Sequence, residues 1–155
     1  MNATPDPTID TELLVIGYGN TLRQDDSVGP RVAERIEALH LPGVRTLICD
    51  QLSPEHAELL AHARVTVFVD AVRGAPRHVR LKPVKPGKST QLMAHAAEPG
   101  TMLALARDVY GRAPQAWLVP IPALRMEFGP NLSVTARRGI DDATRTITRF
   151  AHVAL

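Results

Sequence analysis

Short, wholly apolar runs alternate along this chain with stretches in which apolar residues recur every three or four positions. Residues 13–16 form the first apolar run and predict a buried strand, and residues 28–39 behind it predict an amphipathic helix. Residues 44–50 and the β-branched run 65–69 predict two more strands, with a helix that begins at Ser53 between them. This order implies parallel strands joined by right-handed crossovers, with the third strand at the centre of the sheet.

The pattern changes after the third strand. Residues 74–76 form a turn too short to hold a helix, so the alternating residues 78–84 predict a strand antiparallel to its neighbour. The remaining predicted elements are a helix over residues 99–110, closed by Gly111 in a left-handed conformation, a strand over residues 115–120 and a helix over residues 133–150. The predicted fold class is therefore α/β: three-layer α/β/α, with a mixed, mostly parallel five-strand sheet.

Length and composition favour one globular domain. We expect residues 1–155 to form a single domain, with residues 1–11 as a flexible N-terminal arm that lacks the pattern of a secretory signal. Hydrophobic residues make up 45% of the chain, yet no apolar run approaches the ~20 residues that span a bilayer. The single cysteine, Cys49, excludes an internal disulfide and fits a reducing compartment. The expected protein is a cytoplasmic monomer with no role at a membrane.

Charge is spread evenly except in one segment. The net charge is +2 and aromatic residues make up 4% of the chain, which argues against nucleic-acid binding. The exception, called the basic segment below, is residues 73–88, with Arg73, Arg77, His78, Arg80, Lys82, Lys85 and Lys88. It is either a solvated loop and edge strand or a docking patch for an acidic partner surface.

The loop between the first strand and the first helix combines glycines with acids. Gly17 and Gly19 follow the strand, as in half of a dinucleotide-binding fingerprint. The third glycine of that fingerprint is Leu22 here, and Asp25 and Asp26 would repel a phosphate at the helix start. The loop therefore favours a cation over a phosphate.

Three side chains are candidates for chemistry: Asp26, Asp70 after the third strand, and His95 in a later loop. The carboxyl ends of the first and third strands are neighbours in such a sheet, which brings the two aspartates into one crevice. Two carboxylates and an imidazole suit a divalent transition metal. Each also has an ordinary interpretation: a helix N-terminal acid, a turn acid and a solvated histidine.

Residues 16–29, IGYGNTLRQDDSVG, resemble the signature of the hydrogenase maturation endopeptidases, which is approximately G-x-G-N-x-L-x-x-D-[DE]-G-x-G after the first strand. Asn20 and Leu22 are required by this signature and not by the dinucleotide pattern. The likeness continues through residues 51–55, residues 68–71, His95 and residues 127–133. Ser27 departs from the glycine common after the acid pair, and Met93-Ala94 before His95 depart from the usual serine or proline context.

The resemblance implies a function. Members of this family remove a short C-terminal peptide from the large subunit of a nickel-iron hydrogenase after nickel has been inserted. The nickel is supplied by the substrate protein, and the ligand and catalytic positions correspond to Asp26, Asp70 and His95. The metal or a nearby carboxylate would activate the attacking water. The alternatives are a non-catalytic binding module for a metallated hydrogenase subunit and a nucleotide-binding oxidoreductase, and the role of Asp25 beside Asp26 stays open.

Overall fold

The computed structural model describes residues 8–88 and 98–155. The strands are β1 (Thr11–Tyr18), β2 (Val44–Cys49), β3 (Ala63–Arg73), β4 (Lys82–Val84) and β5 (Gln115–Ala123). The helices are α1 (Val28–Ala38), α2 (Ala57–Ala61), α3 (Pro99–Tyr110) and α4 (Val134–Ala154). Short 3-10 turns at Gln24–Ser27 and Pro54–His56 lead into α1 and α2. None of the helices in the described ranges has both the length and the apolar character needed to cross a bilayer.

The five strands form one sheet in the order β2-β1-β3-β5-β4. Strands β1, β2, β3 and β5 are parallel, and β4 runs antiparallel to β5. The predicted three-layer α/β/α class is therefore confirmed, and β3 lies at the centre of the sheet as expected. Gly111 closes α3 in the predicted left-handed conformation, with φ of 86°.

Helices cover both faces of the sheet, and β1 shows why its sequence is continuously apolar. Leu13 and Val15 point into the core beneath α1 and α4, whereas Leu14 and Ile16 point into the core beneath α2 and α3. All four side chains are buried. A strand that is covered on both faces needs apolar residues at every position, and so the usual alternation with polar residues is absent.

Strand β4 differs from its prediction in length and in neighbour. It covers only Lys82–Val84 of the expected residues 78–84, and it pairs with β5 rather than with β3. Both edges of β3 are already occupied by β1 and β5, so the chain crosses beyond β5 before it pairs. On the way, Val79 is buried in the core and its N–H donates to Asp142 Oδ2 of α4 at 3.1 Å.

Strands β3 and β5 continue past their predicted ends. They stay paired from Val65 to Arg73 of β3, with Asp70 opposite Pro120. Prolines are tolerated in β5 because, in the described part of the chain, no strand pairs with its outer edge beyond Leu118. Asp70 thus lies within β3, and it is β1 that ends beside it.

Glycines allow α1 to begin against the backbone of the sheet. A Cβ atom on Gly29 would lie 2.5 Å from the carbonyl oxygens of both Tyr18 and Val69. A Cβ atom on Gly17 would lie 2.1 Å from the carbonyl oxygen of Gly29. These glycines are therefore needed for close packing of the first turn of α1 on β1 and β3.

We expect Gly29→Ala to lower the free energy of unfolding by about 2 kcal/mol or more, because backbone atoms must move to admit the methyl group. Gly87→Ala is the matched control, since its added Cβ would meet its nearest atom at an ordinary 3.7 Å. The control should stay within about 0.5 kcal/mol of the unaltered chain. Urea unfolding followed by circular dichroism measures both, and equal stability of the two variants would contradict the packing argument.

Candidate functional site

Strand β1 ends while β3 continues past it, and the position between their ends, called the crevice below, is where open α/β sheets bind ligands. The last paired residues are Gly17 of β1 and Val69 of β3, so Tyr18 and Asp70 follow side by side. Asp26 reaches the same place from the 3-10 turn that precedes α1, and its charge acts on the Asp70 carboxyl. The structure thus brings Asp26 and Asp70 together.

The loop between β1 and α1 is folded around Asp26. Asp26 Oδ2 accepts a hydrogen bond from the backbone N–H of Asn20 at 2.8 Å, and Asn20 Oδ1 accepts one from the N–H of Leu22 at 2.9 Å. Gly19 has φ of 149°, and a Cβ atom there would lie 2.0 Å from the Asp26 carbonyl oxygen. The Asn20 N–H that could have faced a phosphate is therefore bonded to a carboxylate, which favours a cation site over a dinucleotide site.

Asp70 is half-buried, and its environment disfavours the charged form. Burial is the largest cause that raises the pKa of Asp70 to about 6, and the Asp26 charge adds to it. Hydrogen bonding from the Tyr18 hydroxyl and from the Ala71 N–H lowers the pKa but does not offset the burial. Burial and the Asp70 charge in turn raise the pKa of Tyr18, so that this hydroxyl keeps its proton. At neutral pH the Asp70 side chain is therefore mostly ionised.

Asp25 points away from the crevice and is completely buried. Its carboxylate accepts hydrogen bonds from the N–H groups of Leu124 at 2.8 Å, Arg125 at 3.0 Å and Ser133 at 2.8 Å, and from the Ser133 hydroxyl at 2.7 Å. Burial alone would raise the pKa of Asp25, but these donors outweigh it and lower the pKa below its ordinary value. Asp25 therefore joins the first loop to residues 124–133 and does not share the crevice with Asp26.

Ser133 extends this connection to the last helix. It is the N-cap of α4, and its hydroxyl oxygen accepts a hydrogen bond from the Ala136 N–H at 3.1 Å. Backbone bonds join the same two segments: Gln24 N–H to the Gly129 carbonyl at 3.0 Å, and Gly129 N–H to the Leu22 carbonyl at 2.9 Å. The sequence pattern did not reveal this role of Asp25, because its partners lie about a hundred residues further along the chain.

His95, the third candidate, falls outside the described residues. Within residues 8–88 and 98–155, no group of three His, Cys, Asp or Glu side chains is close enough to hold a metal ion. Two of the three candidate side chains are thus seen together, and the set of three stays a prediction.

Comparison with known proteins supplies the fold family. No protein-family model and no curated protein sequence matches the chain. Among solved structures, the hydrogenase maturating endopeptidase HybD from E. coli is similar, with a TM-score of 0.74 and 21% identity over 93% of this chain and 94% of that one. The hydrogenase 2 maturation peptidase from Thaumarchaeota archaeon SCGC_AB-539-E09 matches with a TM-score of 0.66 and 19% identity, over 90% and 97%. The [NiFe] hydrogenase maturation protease HycI from Thermococcus kodakarensis KOD1 matches with a TM-score of 0.66 and 19% identity, over 93% of this chain and 92% of that one.

The chain has the fold of the hydrogenase maturation peptidases. At these identities the likeness establishes the fold, and it extends over nearly the whole length of each compared chain. The resemblance of residues 16–29 predicted this maturation-peptidase fold, and that prediction is confirmed.

We expect Asp25→Asn to destabilise the protein by about 3–5 kcal/mol at pH 7, because an amide presents a donor to groups that are themselves donors. The Asp25 carboxylate contributes stability above its unfolded pKa, and this contribution is lost as the pH falls through its lowered folded pKa. The difference between the two proteins should therefore shrink on acidification. Asp26→Asn is the control and should change stability by less than about 1 kcal/mol; equal losses in urea unfolding would contradict the structural role of Asp25.

We expect Asp70→Asn to stabilise the protein at pH 7.5 by on the order of 2 kcal/mol. Between its unfolded pKa and its folded pKa of about 6, Asp70 binds a proton more tightly in the folded state. Folded stability therefore declines as the pH rises through this range, and the asparagine removes the decline. Urea unfolding at pH 4 and pH 7.5 measures the effect, with Glu34→Gln on the exposed face of α1 as the control. A variant that is less stable than the unaltered chain at pH 7.5 would refute the argument.

Proposed function

We propose that this protein is an endopeptidase that removes a C-terminal peptide from the large-subunit precursor of a nickel-iron hydrogenase once nickel is in place. The observation that carries the proposal is the meeting of Asp26 and Asp70 in one crevice of a maturation-peptidase fold. Proteins of that fold with similar size are named as hydrogenase maturation peptidases. We expect the protein to act as a monomer in the cytoplasm, where its lone cysteine stays reduced.

Charge supports recognition of a metal that belongs to the substrate. Neither Asp26 nor Asp70 forms an ion pair with another described residue. Two neighbouring carboxylates repel each other, and a divalent cation placed between them removes that repulsion. Asp26 Oδ2 is bonded to Asn20, which leaves Oδ1 for a ligand. His95 is the proposed third ligand, and the nickel arrives with the precursor as part of the substrate.

The chemistry of peptide cleavage fits Asp70. Hydrolysis needs a group that takes a proton from the attacking water and later gives one to the leaving amine. With a pKa of about 6, the Asp70 carboxylate is mostly ionised at neutral pH, and its oxygen that does not bind the nickel can accept the proton. Asp26 in this proposal binds the substrate's nickel and holds the scissile peptide beside Asp70.

The test is a processing assay with the nickel-loaded precursor of a nickel-iron hydrogenase large subunit. We expect the unaltered chain to shorten the precursor, as seen by mass spectrometry, and to leave the nickel-free precursor intact. Asp26→Asn, Asp70→Asn and His95→Ala should each abolish processing, because each removes a proposed ligand or proton carrier. Glu34→Gln should process normally, and circular dichroism should show that all four variants are folded.

Other outcomes would change the conclusion. Equal cleavage of the nickel-free precursor would refute nickel recognition, and full processing by one of the three variants would remove that residue from the site. Binding of the nickel-loaded precursor without cleavage would instead favour the non-catalytic binding module. A nucleotide-binding oxidoreductase is disfavoured because the Asn20 N–H is bonded to Asp26.

A further inference from the structure

Three large apolar side chains are exposed beside the crevice. Leu22 and Phe128 are each 67% exposed, and Leu124 is 59% exposed. They lie on the two segments that Asp25 joins, and the Arg23 guanidinium carbon lies 4.0 Å from the centre of the Phe128 ring. Single exposed apolar residues are common on protein surfaces, but a group held together beside a candidate active site indicates an interaction surface.

Backbone hydrogen bonds hold the loops that carry these side chains. Leu22 accepts the N–H of Gly129, and Leu124 donates its own N–H to the buried Asp25 carboxylate at 2.8 Å. Arg23 also donates to the Met126 carbonyl at 3.4 Å. A surface that is ordered before binding loses little conformational entropy when a partner contacts it.

The basic segment begins next to this apolar group. Arg73, Gln24, Leu124 and Met126 line one shared cleft, so the two surfaces are continuous there. The sequence contains no aspartate or glutamate between Asp70 and Glu98. The exposed cations of the segment form no ion pair with any described residue; they are Arg73, Arg77, Arg80, Lys82, Lys85 and Lys88.

We infer that the apolar group and the basic segment form one docking surface for an acidic, partly apolar face of the hydrogenase large-subunit precursor. This inference rests on the function proposed above and names the part of the chain that would hold the body of the substrate. Positive charge that no described residue pairs favours an acidic partner, because charge complementarity steers and orients the encounter.

Continuity with the crevice places this partner at the reacting centre. Leu22 belongs to the loop that carries Asp26, and Arg73 ends the strand that carries Asp70. A protein held on both parts would therefore surround the crevice. Leu22 and Leu124 are aliphatic, and the Phe128 ring is already covered on one face by the Arg23 guanidinium, so a protein fits better than a nucleic acid.

The experiment measures binding of the nickel-loaded precursor to the chain in the Asp70→Asn background, where the precursor is not consumed. Phe128→Ser with Leu22→Ser removes the apolar part, and Arg77→Glu with Arg80→Glu reverses charge in the basic part. The matched controls are Val153→Ser, at a site that is 88% exposed, and Arg149→Glu. Val153 lies near the far end of α4, about 28 Å along the helix axis from Val134.

We expect each double substitution to weaken binding at least tenfold relative to the Asp70→Asn parent. The two controls should stay within about twofold of that parent. The charge reversal should also flatten the dependence of affinity on salt concentration. In the catalytically intact chain, the same changes should slow processing most at low precursor concentration.

The outcomes separate this inference from the proposed function. If the unaltered chain cleaves the precursor but both altered parts bind it within twofold of the Asp70→Asn parent, the docking surface is refuted and the proposed function stands. If the unaltered chain does not cleave the precursor and the Asp70→Asn parent does not bind it, both are refuted. If a single-stranded oligonucleotide binds the basic part as tightly as the precursor does, a nucleic acid is its occupant and the inference is overturned.

Discussion

The buried carboxylate of Asp25 is the interaction on which the site depends. A charge without solvent costs several kcal/mol unless donors surround it, and here three backbone N–H groups and one hydroxyl do so. The same bonds give partners to the N–H groups of Leu124, Arg125 and Ser133. These bonds therefore join the first loop, the segment before α4 and the helix cap at Ser133.

Two consecutive acids thus have opposite environments. Asp25 faces inward, towards donors that stabilise its charged form. Asp26 faces the crevice, where burial and the Asp26 charge disfavour the charged form of Asp70. The second arrangement stores electrostatic repulsion that a cation relieves. Outside the crevice, the basic segment carries charge of the opposite sign. The molecule therefore presents a negative centre next to a positive surface, a pattern that orients a charged partner before contact.

The sequence predicted those features that depend on local pattern. The continuously apolar residues 13–16, the β-branched run in β3 and the left-handed Gly111 each follow from burial or backbone geometry that a short window contains. Adjacency of Asp26 and Asp70 followed from the topology, because the first and third strands of such a sheet are neighbours.

Features that depend on distant partners were missed. Residues 78–81 alternate in sequence like a strand, but they lie outside β4 and Val79 is buried in the core. They cannot pair with β3, because β5 occupies that edge. Strand β5 continues through its prolines because, among the described residues, no strand pairs with that part of its outer edge. The role of Asp25 depends on residues 124–133, and nothing near it in sequence distinguishes it from Asp26. The placement of His95 lies beyond the described residues and stays a prediction.

Asp70 and Asp26 are positioned by different means. Asp70 is fixed by β3, which stays paired with β5 beyond the point where β1 ends. Asp26 lies in a loop that Asp25 joins to residues 124–133 by hydrogen bonds. The distance between the Asp26 and Asp70 carboxylates therefore depends on residues 124–133, which are remote in sequence and do not enter the crevice. We therefore expect residues 20–27 and 124–133 to change together in related chains, because correlated substitution would preserve the spacing of the two carboxylates.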